Sequence, residues 1–222
     1  MNELIEQRNN DLVMNPTPRC ACVLVLDTSG SMQGQPIEEL NQGVTQFIEE
    51  VKVDELAQYS VEIGVITAGP NVQQQLPITP AHLIESTNPF GANGGTPLGE
   101  AVNKALDMLE GRKREYKTKG VPYYQPWLVL ISDGEPTDSW QDAASKSRLM
   151  AENRKLVVIP VGVSGADLDK LSQFSNRPAK TLVGLKFREF FAWLSASMAR
   201  VSASNSTTAN VNLPSTGSWD SI

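Results

Sequence analysis

Histidine and cysteine are scarce in this chain, and their scarcity limits the kinds of site that it can form. The 222 residues include one histidine, His82, and two cysteines, Cys20 and Cys22. A structural zinc site needs about four His or Cys ligands, so we expect none and assign His82 no role. Residues two apart in a strand have Cα atoms about 6.6 Å apart, at the upper limit of disulfide geometry. The two cysteines are therefore expected to be buried thiols.

Long apolar runs and an excess of basic residues are also missing. No stretch approaches the roughly 20 apolar residues that a membrane-spanning helix needs, so no membrane partner is expected. The segment 1–7 lacks the basic start and apolar core of a signal peptide, so a cytoplasmic location is expected. The net charge is −6 and the isoelectric point is about 4.9. An acidic surface repels DNA and RNA, which argues against nucleic acid as the main partner.

Hydrophobic periodicity predicts strands that alternate with helices. Strands are predicted at 20–26, 60–67, 72–78, 127–132, 156–163 and 181–183. Helices are predicted at 36–52, from Thr96–Pro97 until the pattern fades within 112–119, and at 138–153, 165–174 and 187–201. Segment 72–78 is polar and follows a turn, so we expect it to pair back on the preceding strand. The alternation predicts an α/β fold, with a mainly parallel sheet covered by helices on both faces.

Composition divides the chain into three parts. Residues 1–17 are predicted to be an N-terminal arm, residues 18–201 one large domain, and residues 202–222 a flexible tail rich in Ser, Thr and Asn. Within the tail, Leu213–Gly217 resembles the sorting signal by which sortases anchor surface proteins. The hydrophobic segment and basic end that accompany such a signal do not follow, so we interpret the match as coincidence. A third functional hypothesis, an anchored surface adhesin, is supported by this segment alone. Asp220 could serve as a metal ligand within its own chain or for a neighbouring copy of the chain.

Three further segments have competing interpretations. The basic run 112–119 could bind an anion, but we expect solvated cations that complement a helix C-terminus. Asp138 and Gln141 are spaced like a capping box that opens the next helix. Trp140 could be an exposed contact for a partner or a core residue.

Oxygen donors follow the ends of the predicted strands. Asp27, Ser29 and Ser31 come directly after the strand at 20–26, and Asp133 follows the strand at 127–132. Thr96 ends a glycine-rich loop at a helix start. In an open α/β sheet, ligands bind at the carboxyl ends of the strands. Two carboxylates and three hydroxyls neutralise a divalent cation without filling its six-oxygen shell, so water or an outside carboxylate must complete it. Mg²⁺ is favoured, and Mn²⁺ or Ca²⁺ would also suit these donors. Ser and Gly after a strand can also form a simple turn that caps a helix.

This pattern resembles the metal-ion-dependent adhesion site (MIDAS) of von Willebrand factor type A (VWA) domains. The motif Asp-x-Ser-x-Ser stands at Asp27–Ser31, followed by Thr96 and Asp133. The resemblance implies a Rossmann-like, doubly wound sheet of about six strands with one antiparallel edge strand. It also implies metal ligation by these five residues and recognition of an acidic residue of a protein partner, with Glu135 and Asp138 near the rim. The segment Gln33–Ile37 resembles TerY-type proteins of bacterial tellurite-resistance and stress systems.

An enzymatic role is the alternative. Some phosphoryl-transfer hydrolases place a nucleophilic Asp after the first strand, as Asp27 stands here. Haloacid-dehalogenase-like enzymes need a second acid two positions later, where this chain has Ser29. No Gly-x-Ser-x-Gly precedes His82, so a Ser-His-Asp hydrolase is not expected. A non-enzymatic, metal-dependent protein-interaction module is the favoured reading.

Overall fold

The computed structural model describes residues 2–163, 165–204, 206–208, 210–217 and 219. The strands are β1 Cys20–Asp27, β2 Val61–Ala68, β3 Val72–Pro80, β4 Trp127–Ser132, β5 Val157–Gly162 and β6 Lys180–Thr181. The α-helices are α1 Asn2–Met14, α2 Gln35–Val53, α3 Ala57–Ser60, α4 Leu98–Lys119, α5 Gln141–Glu152, α6 Leu168–Ser172 and α7 Phe187–Ser202. Short 3₁₀ turns span Gly30–Met32, Ala81–Leu83 and Val183–Leu185.

The six strands form one sheet in the order β3-β2-β1-β4-β5-β6. Strand β1 is parallel to both β2 and β4, β5 is parallel to β4 and β6, and the edge strand β3 is antiparallel to β2. The predicted fold class is therefore confirmed, including the antiparallel edge strand. The connections reverse direction between β1 and β4, which is where open α/β sheets bind their ligands.

Helices cover both faces of the sheet because successive strand residues point to opposite sides. On one face, Leu24 and Leu26 belong to a core cluster with Phe47 of α2 and Phe191 of α7. On the other face, Val23 and Val25 lie in a cluster completed by α4 and α5. All eight residues of β1 are buried, which explains their almost uninterrupted apolar sequence. Both cysteines are free and buried, as expected, and burial raises the pKa of the Cys20 thiol to about 12.

The basic run on α4 departs from the prediction of solvated cations. Arg112 is only 3% exposed. Its guanidinium donates two hydrogen bonds to the buried Glu62 carboxylate, from Nε to Oε2 at 2.6 Å and from Nη2 to Oε1 at 2.8 Å. The Tyr116 hydroxyl donates to the same carboxylate at 2.6 Å, and Arg19 Nε lies 3.6 Å from it. A bidentate pair inside the protein satisfies charges that burial would otherwise penalise.

The segment after α7 also departs from the prediction, because part of the expected flexible tail packs against the domain. Trp219 is 1% exposed, and its ring meets Phe190 edge-on with centroids 4.9 Å apart. The Trp193 indole donates to the Pro214 carbonyl at 2.9 Å, within the segment that resembles a sorting signal. One large aromatic can therefore anchor a segment whose average composition is polar. Asp220 lies outside the described residues.

The N-terminal arm contacts the domain as well. Leu12 of α1 is 2% exposed, and Asp11 forms an ion pair with Arg19 at 2.9 Å. His82 Nε2 lies 3.4 Å from Asp11, so the histidine belongs to this contact. The division into arm, domain and tail remains a prediction. Within the described part of the chain, no helix has the length and apolarity to cross a membrane.

Candidate metal centre

The register of the parallel strands places Asp27 at the centre of the site. Leu26 pairs with Ile131, so Asp27 lies beside Ser132 at the carboxyl ends of β1 and β4. The Asp27 side chain is fully buried. Its Oδ1 accepts a hydrogen bond from the Ser29 backbone at 2.9 Å, and its Oδ2 accepts one from the Ser132 hydroxyl at 2.5 Å. Asp27 is thus a fixed carboxylate at the floor of the site.

A chain of hydroxyls joins this floor to the second carboxylate. The Ser29 and Ser31 hydroxyl oxygens are 2.9 Å apart, and Ser31 Oγ donates to Asp133 Oδ1 at 2.8 Å. Ser29 is 2% exposed, whereas Ser31 is exposed and Asp133 half-buried. The Gly30 backbone N–H donates to the Gly94 carbonyl at 2.9 Å, which ties this turn to the glycine-rich loop. The site is therefore closed below and open towards solvent.

Thr96 reaches the same place from the third loop. Its backbone N–H donates to the Thr137 hydroxyl, and its carbonyl accepts from the Thr137 N–H, both at 2.9 Å. A Cβ placed on Gly134 would lie 3.5 Å from Thr96 Oγ1 and 3.9 Å from both Asp27 Oδ2 and Ser31 Oγ. The structure thus brings all five residues singled out from the sequence to one point. Their role as ligands remains a prediction.

Two carboxylates at one point create an electrostatic imbalance. Among the residues that the structure describes, no Lys, Arg or His forms an ion pair with Asp27 or Asp133. Burial, together with the nearby Asp27 charge, raises the pKa of the Asp133 carboxyl, although the hydrogen bond from Ser31 opposes this. A buried anion normally has a cation beside it. The arrangement therefore fits a positively charged ligand.

The donor set also determines which cations fit. Carboxylate and hydroxyl oxygens suit Mg²⁺, Mn²⁺ or Ca²⁺ and suit soft metals poorly. The described residues contain no cluster of three or more His, Cys, Asp or Glu side chains able to hold a metal. A site here would accordingly depend on its hydroxyls as well as on its two carboxylates. Five protein oxygens leave room in a six-oxygen shell for water or an outside oxygen.

Three residues around the site have roles that the sequence analysis missed. Ser132 orients Asp27, and Thr137 fixes the backbone of Thr96, as described above. Asp138 does not open α5, which begins at Gln141; its carboxylate instead caps α4, accepting from the Gly99 N–H at 3.0 Å and the Glu100 N–H at 2.8 Å. The position of Asp138 directly after the Asp133 loop was the only sequence feature that placed it near the site.

The structure shows the surroundings of two further residues near the site, Glu135 and Trp140. Glu135 is exposed and pairs with Lys170 of α6 at 2.8 Å, so the rim on that side carries both signs of charge. Trp140 is 8% exposed and packs against Phe174 with ring centroids 5.7 Å apart. The core interpretation of Trp140 is thus confirmed, and the exposed-contact interpretation is wrong.

An uncharged cleft adjoins the site on its other side. It has a volume of about 280 Å³ and lies between the β2–β3 hairpin and the loop 89–93, beginning at Thr28, the neighbour of Asp27. Its polar groups are hydroxyls and amides, including those of Asn71, Gln73 and Asn93, and no charged residue lines it. Any molecule that approaches the candidate centre from this side would meet a neutral, hydrogen-bonding surface.

Sequence comparison identifies the family of this fold. A family model described as the von Willebrand factor type A domain matches residues 22–194. The chain belongs to the von Willebrand factor type A domain family. The match covers every strand except the first two residues of β1, and all five residues of the candidate centre of this VWA domain.

Individual relatives are distant. Bovine matrilin-1 is 24% identical over 165 residues, which cover 70% of this chain and 28% of matrilin-1. Bovine inter-alpha-trypsin inhibitor heavy chain H3 is 25% identical over 117 residues, covering 51% of this chain and 13% of that protein. The VWA domain thus spans less than a third of the length of these curated relatives.

Solved structures share the fold. The pilus adhesin SpaC from Lactobacillus rhamnosus GG superposes with a TM-score of 0.65 at 15% identity, over 83% of this chain and 31% of the adhesin. A von Willebrand factor type A protein from Catenulispora acidiphila gives a TM-score of 0.62 at 14% identity, over 82% and 43% of the two chains. At these identities the likeness concerns the fold alone.

Proposed function

We propose that this VWA domain binds a divalent cation, Mg²⁺ before Mn²⁺ or Ca²⁺, and uses it to hold an Asp or Glu carboxylate of a protein partner. Asp27, Ser29, Ser31, Thr96 and Asp133 would hold the cation. A bound cation supplies a fixed positive charge that an outside carboxylate can ligate. Membership of the von Willebrand factor type A family supports a role in binding other proteins.

The observation that carries the proposal is the division of the donors into a buried floor and an open rim. Asp27, Ser29 and Thr96 are each at most 4% exposed, so they form a fixed base that water screens poorly. Ser31 and Asp133 face solvent at the rim. A cation held on this floor would be presented outward, where a partner can reach it.

The geometry disfavours the alternative of a hydrolase with Asp27 as nucleophile. A carboxylate nucleophile needs an oxygen that can approach its substrate. The Asp27 side chain has no surface that water can reach, so a phosphoryl group, which is larger than water, cannot approach it. A bare cation is smaller than water and can still use the second lone pair of each oxygen, although both oxygens accept a hydrogen bond. We therefore propose a binding function without turnover. Metal-dependent phosphatase activity that Asp27→Asn abolishes would reverse this ranking.

We also propose a cellular setting. The segment Gln33–Ile37 supports a role in a bacterial stress or tellurite-resistance-type system, in the cytoplasm. Deleting the gene should lower survival under tellurite or related stress, and the Asp27→Ala variant should fail to restore it. If the deletion strain survives as well as the parent strain, the proposed cellular setting is wrong, and the binding proposal is unaffected.

The binding proposal is tested by capture of a partner with the immobilised domain. We expect a protein to be retained from native extract in Mg²⁺, released by EDTA, and retained again when Mg²⁺ or Mn²⁺ is restored in excess. Thr96→Ala should lose this capture while its circular dichroism stays unchanged, because one buried hydroxyl ligand is removed. Ser86→Ala, an exposed serine outside the site, is the matched control.

The partner's side of the contact is tested once the captured protein is known. Replacing its exposed Asp and Glu residues singly by Asn and Gln should identify one carboxylate whose loss abolishes binding. Capture that survives EDTA, Asp27→Ala and every such replacement would remove the metal from recognition.

A further inference from the structure

A second cavity lies at the opposite end of the sheet from the metal centre. Its volume is about 710 Å³, within the range of pockets that hold small organic ligands. Trp127, the first residue of β4, lines it, whereas Asp133 follows the last residue of that strand. At about 3.3 Å per residue, the two sites are about 20 Å apart. The cavity is therefore independent of the proposed cation site.

Basic side chains from three separate parts of the chain converge on this cavity. They come from the end of α4, from the turn between α5 and β5, and from the loop before β6. The basic residues are Lys113, Lys117, Arg154, Lys155 and Arg177, and the acidic residue is Glu110. The chain as a whole carries a net charge of −6, so this concentration of positive charge runs against the overall balance. Cations that merely complement one helix dipole would not converge from three segments.

Most of these cations have no counter-charge among the residues that the structure describes. Lys113 pairs with Glu110. Within the described ranges, no carboxylate lies within 4.0 Å of the charged groups of Lys117, Arg154, Lys155 or Arg177. Arg154 also has a left-handed backbone, with φ of 54°, where Gly or Asn would fit with less strain. Four exposed cations without a described carboxylate partner therefore concentrate positive charge at one cavity, which favours an anion with more than one charge.

The floor of the cavity has a different character. Trp127 and Tyr124 are 3% and 5% exposed, and Pro126 and Val157 lie beside them along the lining. The Tyr124 hydroxyl is already occupied, donating to the Ser204 carbonyl at 3.1 Å. An aromatic and apolar floor below a ring of cations suits a ligand that has an apolar or ring-containing body as well as anionic groups.

We propose that this cavity binds a small organic polyphosphate, of the kind exemplified by a nucleoside triphosphate. Arg154, Arg177 and the neighbouring lysines hold the phosphate groups. The floor around Tyr124 and Trp127, with the partly exposed Tyr123 and Val157, contacts the uncharged part. Arginine suits phosphate because its planar guanidinium donates two parallel hydrogen bonds. This site is distinct from the metal centre and does not depend on the function proposed for it.

The proposal is tested by calorimetric titration of the full chain with ATP in the presence of EDTA, which leaves the metal centre out of the measurement. Tripolyphosphate serves as the anion without the body, and adenosine as the body without the anion. We expect ATP to bind at least about tenfold more tightly than either fragment, because both halves of the cavity contribute. Added salt should weaken ATP binding by screening the cations.

Variants locate the site. Arg154→Asn together with Arg177→Gln should weaken ATP binding at least about tenfold, and Asn is compatible with the left-handed backbone at position 154. Lys104→Gln together with Arg114→Gln removes the same charge outside the cavity and should leave the affinity within about twofold. Asp27→Ala should bind ATP like the wild type.

Any one of four calorimetric results would overturn the proposal. They are undetectable ATP binding at millimolar concentration, equal losses in the two double variants, tripolyphosphate binding as tight as that of ATP, and loss of binding in Asp27→Ala. A competition experiment gives a further test. If a short single-stranded oligonucleotide displaces bound ATP and binds more tightly than ATP does, the cavity is a nucleic-acid site and the proposal is overturned.

Discussion

The Asp138 carboxylate connects two of the loops that build the candidate metal centre. It follows the Asp133 loop along the chain and caps α4, the helix that begins just after Thr96. A Cβ on Gly99 would lie 2.7 Å from the Trp140 Cα, so this glycine is what allows the loop to approach the helix end. Asp138→Ala should therefore weaken both the fold and the site.

The size of the effect follows from the two hydrogen bonds. Loss of a helix N-cap side chain costs about 0.5–2 kcal/mol, and hydrogen bonds to a charged group lie towards the upper end of such values. Asp138 is half-buried, so we expect a loss of about 1.5 kcal/mol of unfolding free energy. For a domain of this size, that lowers the melting temperature by about 3–6 °C. If metal binding must then restore the same loop geometry, affinity for Mg²⁺ falls by up to about tenfold.

Urea unfolding and Mg²⁺ calorimetry on Asp138→Ala measure the two effects separately. Asp142→Ala is the matched control, because Asp142 is an exposed carboxylate in the first turn of α5 and should change stability by less than about 0.5 kcal/mol. Equal stability of the two variants, with Mg²⁺ affinity unchanged in both, would refute the link between the cap and the site.

Three further substitutions test other parts of the structure. Glu62→Gln leaves the buried Arg112 without a full counter-charge and should lower the free energy of unfolding, measured in urea, by about 3 kcal/mol. A decrease below about 1 kcal/mol would contradict the buried pair. Trp219→Ala should cost about 3 kcal/mol if the indole is a core residue, and an unchanged unfolding midpoint would show that the segment is not docked. Burial raises the pKa of Asp133 in the folded state. In the absence of metal, the protonated Asp133 therefore contributes fully to stability below the ordinary carboxyl pKa, and this contribution is lost as the pH rises through the raised pKa. Asp133→Asn should remove this decline, and parallel curves of melting temperature against pH for the two proteins in EDTA would contradict it.

Much of the fold could be predicted from local pattern. The buried run at β1 and the hairpin turn before β3 are signals that a few neighbouring residues carry, and the structure confirms both elements. Four of the five candidate ligands could be collected because the ends of parallel strands meet at one edge of a sheet. Thr96 follows a long loop after the antiparallel β3, and it was included through the glycine-rich loop and the resemblance to the family motif.

The contacts that were missed join residues distant in the chain. Asp138 was interpreted as a cap for the helix that follows it, but the free N–H groups that it satisfies belong to Gly99 and Glu100, about 40 residues earlier. Glu62 and Arg112 look like a polar strand residue and a solvated cation until the fold brings them together. The average composition after residue 202 concealed Trp219, since one aromatic can outweigh many polar neighbours once it is buried.

Calorimetric titration of Mg²⁺ into the wild type and into single alanine variants of the five candidate ligands tests the metal centre most directly. We predict that the wild type binds about one Mg²⁺ per chain and that the Ser86→Ala control binds it equally well. Each ligand variant should bind Mg²⁺ at least about tenfold more weakly. These variants are Asp27→Ala, Ser29→Ala, Ser31→Ala, Thr96→Ala and Asp133→Ala. Absence of Mg²⁺, Mn²⁺ and Ca²⁺ binding in the folded wild type, or equal affinity in all six variants, would contradict a metal centre at this edge of the sheet.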